Sequence, residues 1–135
     1  MKRIVLAALA AAVLAPTALA GMHHQVTPVK AVKAKKFGLV VANSKGIALY
    51  TWNKEKDGKV RCTGACAKMW PPVLVMKDDM VVKHAKGVMG TLGTVKRPDG
   101  HVQVTLNHRP LYTYVGDTPT KILCNGVNGW FVVHA

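Results

Sequence analysis

The sequence predicts an all-β fold, built mainly of antiparallel hairpins from an internal duplication, with one or two short helical turns. Short β-prone runs alternate with turn signals from Phe37 onward, and the same order of runs and turns returns in the second half of the chain. A chain of 135 residues, half of them hydrophobic, is typical of one globular domain, here 37–135. Two copies are too few for an open solenoid, so we expect two β-units packed face to face with approximate two-fold symmetry.

Residues 1–20 have the pattern of a secretory signal peptide. Lys2 and Arg3 precede a run of Ala, Leu and Val, and Ala18-Leu19-Ala20 supplies the small residues of a cleavage site. No later stretch approaches the ~20 apolar residues that a membrane span requires. We therefore expect cleavage after Ala20 and export without a membrane span. Because no cysteine stands at the cut, we expect no lipid anchor.

The charge of the chain is strongly basic. It has 19 Lys and Arg against 6 Asp and Glu, a formal net charge of +13 at pH 7. In a cytoplasmic protein this would suggest nucleic acid, whereas an exported protein meets anionic lipid, lipopolysaccharide or acidic polymers. We expect a periplasmic or secreted protein whose partner is an anionic envelope component and not nucleic acid. The alternative is a basic surface that serves solubility alone.

An arm and a first hairpin begin the exported part of the chain. Residues 21–36 contain four lysines among small apolar residues and no turn-bounded apolar run, which predicts a flexible basic arm. Residues 39–42 and 47–52 are β-prone and flank the turn-forming Asn43-Ser44-Lys45-Gly46. This arrangement predicts two strands joined by a tight turn.

A helical turn and a second hairpin set follow. Residues 63–69 can form a single helical turn, which Trp70-Pro71-Pro72 cannot continue. β-prone runs return from 94 to 115 around the turn-forming Arg97-Pro98-Asp99-Gly100. Residues 130–134 are expected to form the last strand.

The two hairpin sets are copies of one another. When Gly38 is placed on Gly100, Leu49-Tyr50-Thr51 falls on Leu111-Tyr112-Thr113, and the alignment needs no gap up to Gly64. So orderly a match indicates an internal duplication. We assign residues 37–73 to copy one and residues 99–135 to copy two.

Six short motifs, occurring in order, resemble those of a known family. They are Leu-Tyr-Thr-Trp-Asn-Lys-Glu at 49–55, Cys-Thr-Gly-Ala-Cys-Ala at 62–67, Trp-Pro-Pro at 70–72, Val-Gln-Val-Thr at 102–105, Pro-Leu-Tyr-Thr-Tyr-Val-Gly-Asp at 110–117 and Gly-Val-Asn-Gly-Trp at 126–130. Over about residues 37–134 the chain resembles the bacterial secreted-repeat proteins, often described as predicted lipoproteins with a Tyr-x-(Phe/Trp/Tyr)-x-x-Asp motif. The resemblance implies an exported, duplicated, β-rich protein and carries over no enzymatic activity or cofactor.

Three features depart from the family pattern. Glu55 stands where the first motif has Asp, which is a chemically conservative change. Cys124 is not part of the usual pattern in the second copy. The expected absence of a lipidation cysteine separates this chain from the anchored members.

Each copy contains two aromatic residues two positions apart, which project from one strand face, and a carboxylate in the loop that follows. These repeat-motif residues are Tyr50, Trp52 and Glu55 in copy one and Tyr112, Tyr114 and Asp117 in copy two. We expect the aromatic side chains to fill the core between the copies and each carboxylate to accept backbone N–H bonds in its turn. The alternative is a symmetric ligand surface made of two aromatic pairs.

Cys62 and Cys66 form a C-x3-C pair in an oxidising compartment, where a disulfide is expected. Haem attachment fails because Ala67 stands where that motif needs His, and one cysteine pair is a weak zinc signal. The disulfide could be local, or could join Cys62 to its repeat partner Cys124. The resemblance favours the local bridge, although residues at i and i+4 of a regular helix hold their Cβ atoms ~5–6 Å apart and a disulfide needs ~3.8 Å. The turn must then be irregular, which Gly64 permits.

Two groups of residues have the chemistry of metal ligands. After cleavage, Gly21-Met22-His23 would present a terminal amine, two amides and an imidazole that can surround Cu(II) in a square plane, with His24 as a further ligand. If residues 73–89 are helical, Met76, Met80 and His84 share one face and could form a softer site. Incidental histidines near a processed terminus and core-filling methionines are the alternatives.

Catalysis has little support in the sequence, which contains no Gly-rich nucleotide loop and no nucleophile-elbow serine. The adjacent Asp78-Asp79 would point apart on a helix or strand. We therefore predict a non-catalytic, exported binding protein of unidentified ligand and without a cofactor. The alternatives are a periplasmic copper-handling protein that binds Cu(II) at Gly21-Met22-His23, and a thiol–disulfide protein that uses Cys62 and Cys66. The second is disfavoured because the usual redox spacing is C-x-x-C.

The copper hypothesis makes a specific prediction. In the cleaved protein, His23→Ala, or one extra residue ahead of Gly21, should abolish tight Cu(II) binding, whereas the control His24→Ala should matter much less. Affinity should fall as the pH drops below neutrality, because binding displaces protons from the amine and two amides. Titration of the visible Cu(II) absorption band measures both effects. An unchanged band in the His23→Ala protein would mean that this site does not exist.

Overall fold

The fold is known from a computed structural model, which describes residues 12–13, 21 and 23–135. The predicted signal peptide lies outside the described residues except at 12–13. The prediction of an all-β fold is confirmed, since the described residues form ten short strands, one five-residue helix and one 3-10 turn. The helix found in this part of the chain is far too short to cross a bilayer.

The elements are numbered in chain order. The strands are β1 Gln25–Val26, β2 Val29–Ala34, β3 Gly38–Asn43, β4 Tyr50–Trp52, β5 Leu74–Val75, β6 Met80–Val81, β7 Leu92–Lys96, β8 Val102–Leu106, β9 Arg109–Pro110 and β10 Trp130–Val132, with a 3-10 turn at Asn53–Glu55 and helix α1 at Ala65–Met69. Helix α1 ends where the sequence predicts, immediately before Trp70-Pro71-Pro72.

Each copy is built on an antiparallel hairpin. In copy one β2 pairs with β3, and in copy two β7 pairs with β8. Strands β2 and β7 lie before residues 37 and 99, and β5 lies after residue 73, so all three fall outside the ranges first assigned to the copies. From here on, β2 and β5 are counted with copy one and β7 with copy two. The turn after β3 is closed by Asn43, whose Oδ1 accepts the N–H groups of Lys45 and Ile47 at 3.0 Å each. Such side-chain bonds are why Asn is common in turns.

The prediction of a flexible arm over residues 21–36 is wrong for most of that range. Strand β2 pairs with β3 along its whole length, from Val29 opposite Asn43 to Ala34 opposite Gly38. Val29 is 3% exposed and lies in the core, while the lysines of the strand point to solvent. Lysines on an edge strand prevent pairing with other chains, so a lysine-rich segment can still be a strand.

The last strand of each copy pairs with the other copy. Strand β10 of copy two pairs with β4 of copy one, and β5 of copy one pairs with β8 of copy two. Where the copies meet, Tyr50 and Tyr112 exchange backbone N–H···O bonds of 2.8 and 3.0 Å. The copies are therefore interlocked around an approximate two-fold axis that passes between these two tyrosines.

The helical interpretation of residues 73–89 is wrong. The segment contains β5 and β6, and β6 pairs in parallel with β1, so that Met80 lies opposite Gln25. Met76 lies in the connection between the two strands and His84 beyond β6. The proposed helical face of Met76, Met80 and His84 does not exist, because the segment pairs with other strands of the fold.

Candidate functional site

The repeat-motif carboxylates bind the tyrosines of the opposite copy. Tyr50 Oη donates to Asp117 Oδ2 at 2.6 Å, and Tyr112 Oη donates to Glu55 Oε1 at 2.9 Å. Both carboxylates are buried, with Glu55 1% and Asp117 7% exposed. Hydrogen bonds to an ionised acceptor are about twice as strong as neutral ones. These two pairs cross between the copies and hold them together.

The same carboxylates also close their own turns. Glu55 Oε1 accepts the N–H groups of Arg61 at 2.6 Å and Cys62 at 2.9 Å, while its Oε2 is buried without a hydrogen-bond partner. Asp117 Oδ1 accepts the N–H of Leu123 at 2.9 Å. Arg61 and Leu123 fall on one another when the copies are aligned, so the two turns are built alike.

Burial and the carboxylates set the ionisation of this cluster. Burial raises the pKa of Tyr50, and its bond to Asp117 raises it further. Burial, followed by the nearby charge of Glu55, raises the pKa of Tyr112. Burial also raises the pKa of Asp117, although its bonds to Tyr50 and Leu123 act in the opposite direction. Both tyrosines stay neutral donors far into the alkaline range.

An aromatic stack fills the space between the copies. Trp70 and Trp130 stack with their ring centroids 4.0 Å apart, and Tyr50 and Tyr112 meet them edge-on. Trp52 extends the stack beyond Trp130. Tyr50 and Tyr112 are fully buried, so they cannot belong to the alternative ligand surface.

The central tryptophans are missing from the residues predicted at this interface. Trp70 and Trp130 occupy equivalent places, but the ungapped alignment that places Gly38 on Gly100 puts Trp70 on Val132. That alignment therefore fails to pair the two tryptophans. An alignment that allows a two-residue gap after Cys66 would have identified the pair.

The disulfide in the structure is local. Cys62 and Cys66 are bonded, with their Cα atoms 5.1 Å apart, and Cys124 is free and half-buried. Cys62 lies before α1, and Gly64 between them has φ +57°. The pair therefore does not have the i, i+4 geometry of a regular helix, and the left-handed Gly64 brings the two residues together.

A buried arginine fills the space under the hairpin turn of copy two. Arg97 is 2% exposed, and its guanidinium donates to Cys62 O at 2.8 Å and to Gln103 Oε1 at 2.7 Å. Gln103, fully buried, donates in turn to Leu111 O at 2.7 Å. The sequence predicts Arg97 in a turn, and nothing local indicates that a charged residue next to Pro-Asp-Gly is buried.

In the structure Ala34 of copy one occupies the position of Arg97, whereas the ungapped sequence alignment puts Arg97 on Lys35 and is off by one residue across this hairpin. The carbonyl of Arg97 accepts the N–H of Gly100, and the carbonyl of Ala34 accepts the N–H of Phe37, in the same i, i+3 pattern. Ala34 is the last residue of β2, and Arg97 directly follows β7 and donates its N–H to His101 O at 2.8 Å. The long cationic side chain of one copy is thus replaced by a methyl group in the other.

The position of Gln103 is occupied by Val40 in copy one. Gln103 lies opposite Leu74, and Val40 lies opposite His134, which follows β10. Both are fully buried. Neither Ala34 nor Val40 can form the polar network that fills copy two.

Copy one has an open groove where copy two has this network. The cavity, about 680 Å³, lies between the turn after β2 and residues 118–123. Its apolar lining includes Val32, Ala34, Phe37, Val40, Ala48 and Ile122. Its rim carries four exposed lysines, Lys33, Lys35, Lys36 and Lys121, and none of the described residues that line it is acidic. We name this cavity the lysine-rimmed groove.

The predicted copper ligands lie at the start of the described chain. Gly21 and His23 are exposed, and Met22 lies outside the described residues. His24 Nδ1 is 3.6 Å from Asp79 Oδ1. No cluster of three or more His, Cys, Asp or Glu side chains suited to a metal ion occurs in the described part of the chain. The Cu(II) site at the N-terminus stays a prediction.

These features define a class of duplicated all-β proteins whose repeats exchange both their last strands and their motif side chains. The family described as a secreted repeat of unknown function matches the chain at residues 31–74 and 93–134. The chain belongs to this family, and the resemblance read from its motifs is confirmed. Each matched range covers most of a hairpin and reaches the strand that pairs with the other copy. No curated protein and no solved structure matches the chain.

The aromatic stack predicts a graded effect of truncation. Trp130→Ala removes a ring that is 3% exposed and contacts three others, so unfolding should cost ~3–5 kcal/mol less than in the wild type. Trp52→Ala should have a smaller effect because Trp52 is half-buried and contacts only one end of the stack. Urea unfolding measures both values. Equal losses would show that the centre of the stack has no special role.

The buried tyrosines predict an alkaline limit to stability. In the unfolded chain tyrosine titrates near 10.0, while the pKa values of Tyr50 and Tyr112 are raised in the folded protein. The free energy of unfolding should hold its full value below pH 10 and fall as the pH rises above it. Tyrosinate absorbance reports the ionisation of the two tyrosines, and urea unfolding reports the stability. The two measurements should change over the same pH range. Tyr50→Phe should lower the free energy of unfolding by ~1–3 kcal/mol at neutral pH because it leaves Asp117 Oδ2 without its donor. Tyrosinate forming near pH 10 in the folded Tyr114→Phe protein, which retains only Tyr50 and Tyr112, would contradict the buried pairs.

The local disulfide predicts a defined peptide map. Non-reducing digestion should release Cys62 and Cys66 in one linked fragment, and Cys124 should react with an alkylating reagent before reduction. Cys66→Ser should lower the free energy of unfolding by ~2 kcal/mol, because the bond closes a short loop. A linked Cys62–Cys124 fragment would overturn this pairing.

Proposed function

We propose that the mature domain is a non-catalytic periplasmic binding protein that holds an anionic envelope component at the lysine-rimmed groove. The observation that carries the proposal is the juxtaposition of four exposed lysines with an apolar cavity of about 680 Å³. This volume falls in the range of ligand pockets, which are mostly apolar with a few polar groups that orient the ligand. The equivalent space in copy two is closed by Arg97 and Gln103.

The charge of the chain supports the same partner. A formal net charge of +13 attracts anions, and the groove concentrates four of these cations at the entrance of one cavity. Lysine side chains also bury their methylene stems against apolar surface while the ammonium stays in water. The rim can therefore approach a lipid headgroup or an acidic polymer without losing hydration.

The test compares two variants of equal net charge. In the groove variant Lys33, Lys35, Lys36 and Lys121 are changed to Gln; in the control Lys68, Lys83, Lys86 and Lys96, which are exposed and lie outside the groove, are changed to Gln. Binding to phosphatidylglycerol vesicles is measured by sedimentation, with phosphatidylcholine vesicles as the neutral reference.

The groove variant should bind phosphatidylglycerol vesicles at least ~10-fold more weakly than the control, because each lysine near an anionic surface contributes about 1 kcal/mol. Binding should also weaken as the salt concentration rises. Equal losses in the two variants would mean that net charge alone decides binding and that the groove is not the site.

A further inference from the structure

The lysine-rimmed groove differs from its counterpart in copy two in a way that indicates its ligand. In copy two the space is filled by the methylene stem of Arg97, by its guanidinium and by Gln103, whose polar groups are hydrogen-bonded. In copy one Ala34 and Val40 leave the same space apolar and open. What fills it must be apolar along its length, since the described lining residues there are mostly apolar.

The rim specifies the other end of the ligand. Lys33, Lys35 and Lys36 lie along the strand and turn on one side of the groove, and Lys121 lies on the other. With no acidic residue among the described residues of the lining, an anionic head group would meet cations on both sides and no repulsion. The groove is a single cavity between two segments, which suits one alkyl chain.

We infer that the groove binds a single-chain anionic amphiphile, with the alkyl chain along Val32, Phe37 and Ile122 and the head group among the lysines of the rim. The inference rests on the proposed function and names its ligand class. In copy one, the bound chain takes the place that the Arg97 side chain takes in copy two. The duplication thus gives one copy a closed structural network and the other a binding site.

The test uses dodecanoate, followed by isothermal titration calorimetry on the mature protein below the concentration at which micelles form. Dodecanoate should bind with one-to-one stoichiometry. Octanoate, which has the same head group, should bind well over tenfold more weakly, since each buried methylene contributes about fourfold in affinity. Dodecyl maltoside, with the same chain and a neutral head, should also bind more weakly.

A variant that copies the closed network tests the location. Ala34→Arg combined with Val40→Gln places the side chains of copy two in the groove. This variant has one more positive charge than the wild type, so electrostatics alone would strengthen its binding of dodecanoate. We expect at least a tenfold weaker binding instead, because the chain site is filled. Ser44→Arg, which adds the same charge outside the lining, is the control and should bind normally.

The outcomes separate the two proposals. If the double variant folds and binds dodecanoate as the wild type does, the inference is overturned. If the double variant fails to fold, Ala34→Leu fills part of the groove without a buried charge, and binding of dodecanoate by Ala34→Leu at wild-type affinity would overturn the inference. If wild-type protein binds phosphatidylglycerol vesicles through the rim lysines but not dodecanoate, the inference fails and the proposed function stands. If neither binds, both fail.

Discussion

The crossed bonds between each repeat-motif tyrosine and the carboxylate of the other copy are the contacts on which this fold depends. Tyr50 and Tyr112 pair through their backbones at the two-fold axis, and their hydroxyls reach Asp117 and Glu55 in opposite copies. Each carboxylate also closes the turn that follows its own motif. One side-chain set therefore fixes the turn, the interface and the relative placement of the copies. A buried carboxylate without such donors would destabilise the protein, so these bonds must form together.

Within this symmetric frame the copies have diverged at one place. The hairpin of copy two closes over Arg97 and Gln103, whereas the hairpin of copy one stands over Ala34 and Val40 and leaves a cavity. These positions border the interface, since Val40 lies in the same core cluster as Tyr50 and Tyr112 and Ala34 packs against that cluster. Duplication permits one copy to keep an open cavity, because the other copy, with its closed polar network, can stabilise the shared fold. Four lysines lie at the rim of the open copy's groove, so that copy combines an apolar lining with positive charge.

The sequence predicts the local features of this protein and not those that depend on distant contacts. The hairpin around Asn43, the end of α1 before Trp70 and the duplication follow from turn residues, prolines and a repeat visible in the chain. The exchange of β5 and β10 between copies could not be predicted, because strand pairing over such distances leaves no periodic signal. The strand over Val29–Ala34 was missed because its lysines resemble a solvated arm. The burial of Arg97 depends on partners supplied by both copies.

The one residue of the repeat motif that departs from the family pattern, Glu55, is also a point at which the two copies differ. Glu55, and not Asp, stands in the half of the interface that contains the buried Arg97. Cys62 joins the two groups, since its N–H donates to Glu55 and its carbonyl accepts from Arg97. In the other half Asp117 has no buried arginine at the equivalent position, because Ala34 is there. The carboxylate partner of the buried Arg97 is Asp99, whose Oδ2 is 3.3 Å from Arg97 Nε, while Cys62 links Arg97 to the longer carboxylate of Glu55. The open groove lies in the half that has neither the buried arginine nor the longer carboxylate, and its lining is mostly apolar.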